Sequence, residues 1–111
     1  MKNKILNMLG LTKKAGRLKT GGSVLEQSVK AGHICLLLAA RDASEGSRKK
    51  LRNMAAFRDI PYYEWGSKEE LGRALGRGEC AGAGIIDEGF GTKIRALIEA
   101  DLKDMDHKEG A

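Results

Sequence analysis

The run ICLLLAA, residues 34–40, restricts the possible folds more than any other stretch of this chain. A segment this uniformly apolar cannot lie with one side in water. It is strand-sized, well short of the roughly 20 residues that span a bilayer. It therefore reads as a strand buried on both faces, bounded by Gly32 on one side and Arg41-Asp42 on the other. Such a strand needs cover above and below, and the remaining sequence offers amphipathic helices to provide it.

Ile5, Met8, Leu9 and Thr12 mark a first helix, closed near Gly16 by a glycine C-cap. LKT (18–20) reads as a short strand, and a second helix runs from the Gly21-Gly22 pair to Gly32. After the buried strand, Asp42 and Glu45 stand at capping-box spacing, ahead of an apolar stripe of Leu51, Met54 and Ala55. Pro61 introduces a strand in PYYEW, where alternation sends Tyr63 and Trp65 to one face as core and half-exposed sheet. Ser67 and Glu70 form another capping box for a helix ending at Gly76. AGAGIID (81–87) is a further strand, and Phe90, Ile94, Leu97, Ile98 and Leu102 recur at helical spacing. The alternation predicts an α/β fold, a three-layer α/β/α sandwich around a central sheet. At 111 residues the chain is one domain by size. Residues 1–104 form it, and 105–111 read as a polar C-terminal tail.

Aromatics make up only 5% of the residues, so the core is expected to be aliphatic. The N-terminus lacks the long apolar stretch and small-residue cleavage site of a signal peptide. Cys35 and Cys80 have no His or Cys at ligand spacing and read as reduced thiols of a cytoplasmic protein, with no metal site and no cofactor. No catalytic constellation stands out. His33 begins a strand and His107 sits in the tail, neither forming a catalytic motif with Cys35 or a serine, and the adjacent Asp87 and Glu88 read as charges at a helix start. GRGECAG (76–82) contains a G-x-G-x-x-A pattern. A dinucleotide-binding loop must follow a strand and open a helix; this one follows a helix and precedes a strand. The chain therefore reads as non-enzymatic.

Charge is distributed unevenly. Residues 1–58 carry 13 Lys/Arg against Glu26, Asp42 and Glu45, a balance of +10, whereas residues 59–111 carry 7 against 12 Asp/Glu, a balance of −5. One face should attract a polyanion. Lys13, Lys14, Arg17 and Lys19 lead into the glycine pair, and Arg48, Lys49, Lys50 and Arg52 crowd the next helix. A helix N-terminus presents unpaired N–H groups and the positive end of a dipole, both suited to phosphate. Glycine there removes side chains that would hold a sugar-phosphate backbone away, and Ser23 can cap the helix or bond to a ligand. A plain N-cap turn among solvated lysines is the alternative reading of the same residues.

The pattern LGLTKKAGRLKTGG … ICLLLAARDASEGSRKKL … IPYYEWGSKEELGRALG … AGIIDEGF resembles the YlxQ family, part of the kink-turn-binding ribosomal protein superfamily of L-seven-Ae and L-thirty-e type. The likeness spans roughly residues 5–95. It implies a mixed sheet of about four strands and binding to structured RNA, typically a kink-turn. The expected partner is a kink-turn RNA or ribosomal RNA, bound by a monomer, and no membrane partner is expected. Carried over, the glycine-led helix supplies Gly21, Gly22, Ser23 and Gln27, with Lys19 and Thr20 leading in. The loop over a flipped-out nucleotide supplies Arg77, Gly78, Glu79 and Cys80, and Arg41 and Asp42 lie between. Phosphate contacts are expected from Lys13, Lys14, Arg17, Lys19, Arg41, Arg48 and Lys49. Kink-turn readers carry Asn-Glu after the glycine and Lys three positions on; here Ser23, Val24 and Gln27 stand there, and Val24 offers no carboxylate to a guanine edge. The rival functions are a protein-interaction module on ribosomes or translation factors, and a nucleotide-binding domain using GRGECAG.

Overall fold

The computed structural model describes residues 1–110, excepting the side chains of 105–110. Five helices and four strands alternate: α1 (Lys2–Lys14), β1 (Leu18–Thr20), α2 (Gly22–Lys30), β2 (Leu36–Ala39), α3 (Glu45–Arg58), β3 (Tyr62–Glu64), α4 (Lys68–Ala74), β4 (Gly82–Ile85) and α5 (Glu88–Gly110). The bounds of α5 run through the stretch read as a tail; its side chains, His107 included, and Ala111 lie outside the described residues.

The sheet order is β1-β4-β2-β3, with β4 antiparallel to both its neighbours and β2 parallel to β3. Strands β1, β2 and β3 therefore point the same way. Their carboxyl ends, and the chain entering β4, share one end of the sheet. β2 is fully buried, as its apolar run requires. It is shorter than the run itself, although its hydrogen bonds continue outward: Cys35 N–H donates to the Ile85 carbonyl and Ala40 N–H to that of Ala81.

Two apolar layers cover the sheet. Leu36, Leu38, Ala83 and Ile85 pack with Ile5 and Leu9 of α1, Leu71 and Leu75, and Ile94 and Ile98 of α5. On the other face Leu37 packs with Leu25 and Val29 of α2 and with Ala55 of α3. This is the three-layer sandwich expected from the alternation. Trp65 and Tyr63 both belong to the first layer and Tyr62 to the second, as period-two alternation demands. Trp65 Nε1 donates to Asp101 Oδ2 at 2.8 Å and Tyr63 Oη to Glu99 Oε2 at 2.6 Å, so both rings are committed to α5.

The glycines of β4 set the height of α2. A Cβ at Gly84 would lie 2.7 Å from Leu25 Cδ1 and from Ile34 Cδ1, and one at Gly82 would lie 2.7 Å from Leu51 Cδ1. Glycine weakens a strand; here it lets Leu25 and Leu51 descend onto the sheet. Full burial of a leucine contributes roughly 1.5–3 kcal/mol. Leu25 and Val29 thus fix α2, and with it the position of the α2 start.

One local expectation is corrected. The N-cap of α3 is Ser44, whose hydroxyl accepts from Ser47 N–H at 3.1 Å, rather than Asp42. Asp42 lies too far ahead of the first helical residue to reach its free N–H groups. Its carboxylate instead accepts from Lys68 N–H at 2.8 Å, tying the β2–α3 loop to the start of α4. The Ser67–Glu70 capping box is present in full.

Candidate nucleic-acid interface

Four helices follow a strand, and three of them begin under a side-chain cap. Ser44 caps α3 and Ser67 caps α4, while Asp87 Oδ2 accepts from Phe90 N–H at 2.9 Å at the start of α5. Helix α2 has none. Its N-cap is Gly21, at φ 89° and ψ 139°, a conformation that glycine alone tolerates without strain. Ser23 is the second helical residue and does not cap, because the chain turns into the helix two positions earlier. The N–H groups of the first turn are therefore left without an intrahelical or side-chain acceptor, at the positive end of the helix dipole.

Gly22 is instructive in another way. Its φ is ordinary, and a Cβ built on it would meet nothing within 4 Å. Neither backbone geometry nor packing within the protein calls for glycine there. The exposed face beside it carries Ser23, Val24 and Gln27, with Val24 52% exposed where the kink-turn pattern has a carboxylate.

A cleft of about 320 Å³ opens next to this helix start. Gly21, Gly22, Leu25 and Glu26 form one wall and Ser47, Lys50, Leu51 and Met54 of α3 the other; Arg77, Glu79, Cys80, Ala81 and Gly82 close it. The glycine-led helix and the α4–β4 loop, separate in sequence, thus meet in one site. Arg77 NH1 donates to Thr20 Oγ1 at 2.6 Å, pinning the loop to the end of β1. The loop is held from beneath as well. Arg77 N–H donates to the Gly72 carbonyl and Cys80 N–H to that of Lys68, and a Cβ on Gly72 would fall 2.7 Å from the Gly78 oxygen. Cys80 is buried, with Sγ 3.1 Å from the Gly82 carbonyl; burial pushes its thiol pKa up, so it serves as floor rather than as a contact on the rim. Gly78 is exposed at the loop tip.

The remaining sequence candidates divide. Lys19 and Thr20 sit half-buried on β1, and Arg17 is exposed just before it, its carbonyl accepting from Ile86 N–H. Lys49 is exposed on α3. Arg48 is already engaged: Nε donates to the Ala43 carbonyl at 3.0 Å and NH1 lies 3.5 Å from Glu64. Arg41 and Asp42 line a different recess, with Lys2, Trp65 and Asp101. Lys13 donates to the Leu75 carbonyl and, with Lys14, faces α4. Lys50 and Glu26, 3.2 Å apart across the cleft, were not among the sequence candidates. Ser47, Lys50, Leu51 and Met54 share the i, i+3, i+4, i+7 spacing, the one signal that could have placed them on a common face. Lys50 and Lys30 together hold the Glu26 carboxyl below the usual carboxylate range.

Among the described residues no group of His, Cys, Asp and Glu could hold a metal ion, and no helix is long and apolar enough to cross a membrane. The loop GRGECAG lies between α4 and β4, so its first turn opens a strand rather than a helix.

Residues 3–94 match the sequence profile of the Ribosomal protein L7Ae/L30e/S12e/Gadd45 family. An Enterococcus faecium protein named RNA-binding protein YlxQ is 31% identical over 98 residues, covering 88% of this chain and 94% of that one. The chain belongs to this family, on its YlxQ branch. A YlxQ from Bacillus subtilis, also named an RNA-binding protein, is 26% identical across 83% of the chain and 92% of its own length. Among solved structures, a Bacillus halodurans protein of unknown function superposes with a TM-score of 0.83 at 35% identity, covering 86% of this chain and 97% of that one. The Giardia lamblia 15.5kD RNA binding protein shares the fold, with a TM-score of 0.68 at 23% identity over 86% of this chain and 84% of that one.

Proposed function

We propose that this YlxQ-type protein is a non-catalytic binder of structured RNA that acts as a cytoplasmic monomer on a sharply bent element of the kink-turn kind, ribosomal RNA included. One observation carries the reading. Of the four helices that follow a strand, α2 alone begins uncapped, on two glycines, and it begins beside a cleft. Free N–H groups at a side-chain-free helix start suit a phosphate, and the neighbouring Arg17, Lys19, Lys49 and Arg77 suit the phosphates on either side. The cleft, with an apolar floor of Leu25, Leu51 and Met54 and polar groups at its mouth, suits an unstacked base. Ser23 and Gln27 offer hydrogen bonds to base edges in the groove, while Val24 offers only methyl contact. Recognition then rests on the shape of the RNA more than on a guanine-reading carboxylate.

A titration with a kink-turn RNA and a control lacking its tandem G·A pairs tests this. The bent RNA should bind more tightly. With about four phosphate contacts, affinity should fall roughly a hundredfold between about 50 and about 200 mM salt. Arg17→Glu and Lys19→Glu should weaken binding and flatten that slope. Absence of binding to either RNA would refute the proposal, and equal, salt-sensitive binding to both would remove its kink-turn part.

A further inference from the structure

We propose that the trough between α1 and α4 is a docking site for an acidic amphipathic helix of a partner protein. The trough encloses about 960 Å³ and is separate from the cleft, sharing none of its lining residues. Its floor is aliphatic: Leu6, Gly10 and Ala74, with Leu11 on the wall, 54% exposed. Glycine within a helix is unfavourable relative to alanine. At Gly10 a Cβ would lie 3.2 Å from the Ala74 carbonyl oxygen, so the missing side chain lets α1 close on α4 and leaves a depression between Leu6 and Leu11. Exposed Leu11 and half-buried Leu6 on either side of such a depression suit a helix laid in a groove, with apolar anchors one turn apart.

Charge selects the partner. Lys2, Lys13, Lys14 and Arg73 line the trough against the single carboxylate of Glu70. Glu70 is paired with Lys2 at 2.8 Å and Arg73 with Glu69 at 2.9 Å, which leaves the charges of Lys13 and Lys14 to make the rim positive. A helix with leucine-like anchors and flanking Asp or Glu matches both floor and rim. RNA matches only the rim, because bases stack on aromatic rings or arginine planes and this floor is aliphatic. Gly76 lies in the trough wall and Arg77 in the cleft, so the partner would sit beside an occupant of the cleft without displacing it. The inference does not depend on what the cleft binds.

Two-dimensional NMR of the full chain tests it, with a designed helical peptide carrying leucines on one face and glutamates on its flanks, and a scrambled peptide of identical composition. The expected result is saturable shifts of the Leu6, Gly10, Leu11 and Ala74 amides with the patterned peptide only. Leu11→Glu, at an exposed site, should weaken binding about tenfold or more while leaving thermal unfolding and RNA titration unchanged. Asn7→Glu, at another exposed position of the trough lining, provides a second variant should Leu11→Glu prove unstable. Four results would overturn the proposal: no shifts at millimolar peptide; equal shifts with the scrambled peptide; stronger shifts of these amides with RNA or with anionic vesicles; or a concentration-dependent dimer that Leu11→Glu dissolves, which would make a second copy the occupant.

Discussion

Replacing Gly21 and Gly22 one at a time by alanine separates folding from binding at the α2 start. The two positions differ sharply in what the protein itself requires. Gly21 sits at φ 89°, ψ 139°, where a Cβ is strained whatever the space around it; Gly21→Ala should destabilise the fold by about 1–3 kcal/mol. Gly22 has ordinary helical geometry and open space at the Cβ position. Gly22→Ala should therefore stabilise the fold by about 0.5 kcal/mol through helix propensity and a less flexible unfolded chain, raising Tm by about 2–4 °C. Its effect on RNA should have the opposite sign. A methyl group over the first free N–H groups would push a phosphate out of hydrogen-bonding range. A hydrogen bond to a charged group contributes about 1.5–3 kcal/mol, so affinity should fall about 10- to 100-fold. Circular-dichroism melting and fluorescence-anisotropy titration of both variants give the comparison. A Gly22→Ala protein that melts higher and binds RNA as tightly as the parent would refute the idea that this glycine serves ligand approach. A lower Tm would show that the helix start is more tightly packed than the open space implies.

Two other perturbations act on the cleft. Gly72→Ala would press a Cβ against backbone atoms of Gly78 and Glu79, each 2.7 Å away. The α4–β4 loop must then shift, at about 1–3 kcal/mol by urea unfolding, and RNA binding should weaken through misplaced Arg77. The Glu26 carboxyl, held below the usual range first by its hydrogen bond to Lys50 and then by the charges of Lys50 and Lys30, contributes stability that is present above its unfolded pKa and lost as pH falls through the lower folded value. Carboxyl NMR should place its midpoint below that of an unstructured Glu peptide. Lys50→Met should move it upward, and an unmoved midpoint would refute the coupling. Because the pair is open to solvent, 1 M salt should weaken the effect.

Local signals carried most of the fold. The buried strand, the helical stripes and the Ser67–Glu70 capping box each depend on neighbours within a turn or two, and each appears where the residues place it. The error at Asp42 arose within the same range: two acceptors, Asp42 and Ser44, stood ahead of one helix, and spacing to Glu45 favoured the first. What decided between them was Lys68 N–H, 26 residues away in sequence. Long-range partners hid the site in the same way. Arg48 reads as a phosphate ligand until Glu64 is beside it, and Lys50 gains its place only when Glu26 of α2 lies across the cleft. The glycines of β4 read as a weakness in the strand, and only the packing of Leu25 and Leu51 shows what they admit.

The glycine pair was legible as a helix start, but its meaning was comparative. A residue string shows that α2 begins on glycine. It does not show that α3, α4 and α5 are capped by side chains, so that α2, alone among the helices that follow a strand, begins without one. That contrast is what the proposed binding surface rests on. A protein whose other strand-to-helix junctions are all closed by Ser or Asp has the means to close this one as well, since Ser23 stands only two positions past the N-cap. Moving such a hydroxyl back to the cap, as in Gly21→Ser, would satisfy a free N–H but force a strained φ. The open start at Gly21 and the unobstructed Gly22 beside it are thus parts of one arrangement, in which no side chain among the described residues caps the backbone donors.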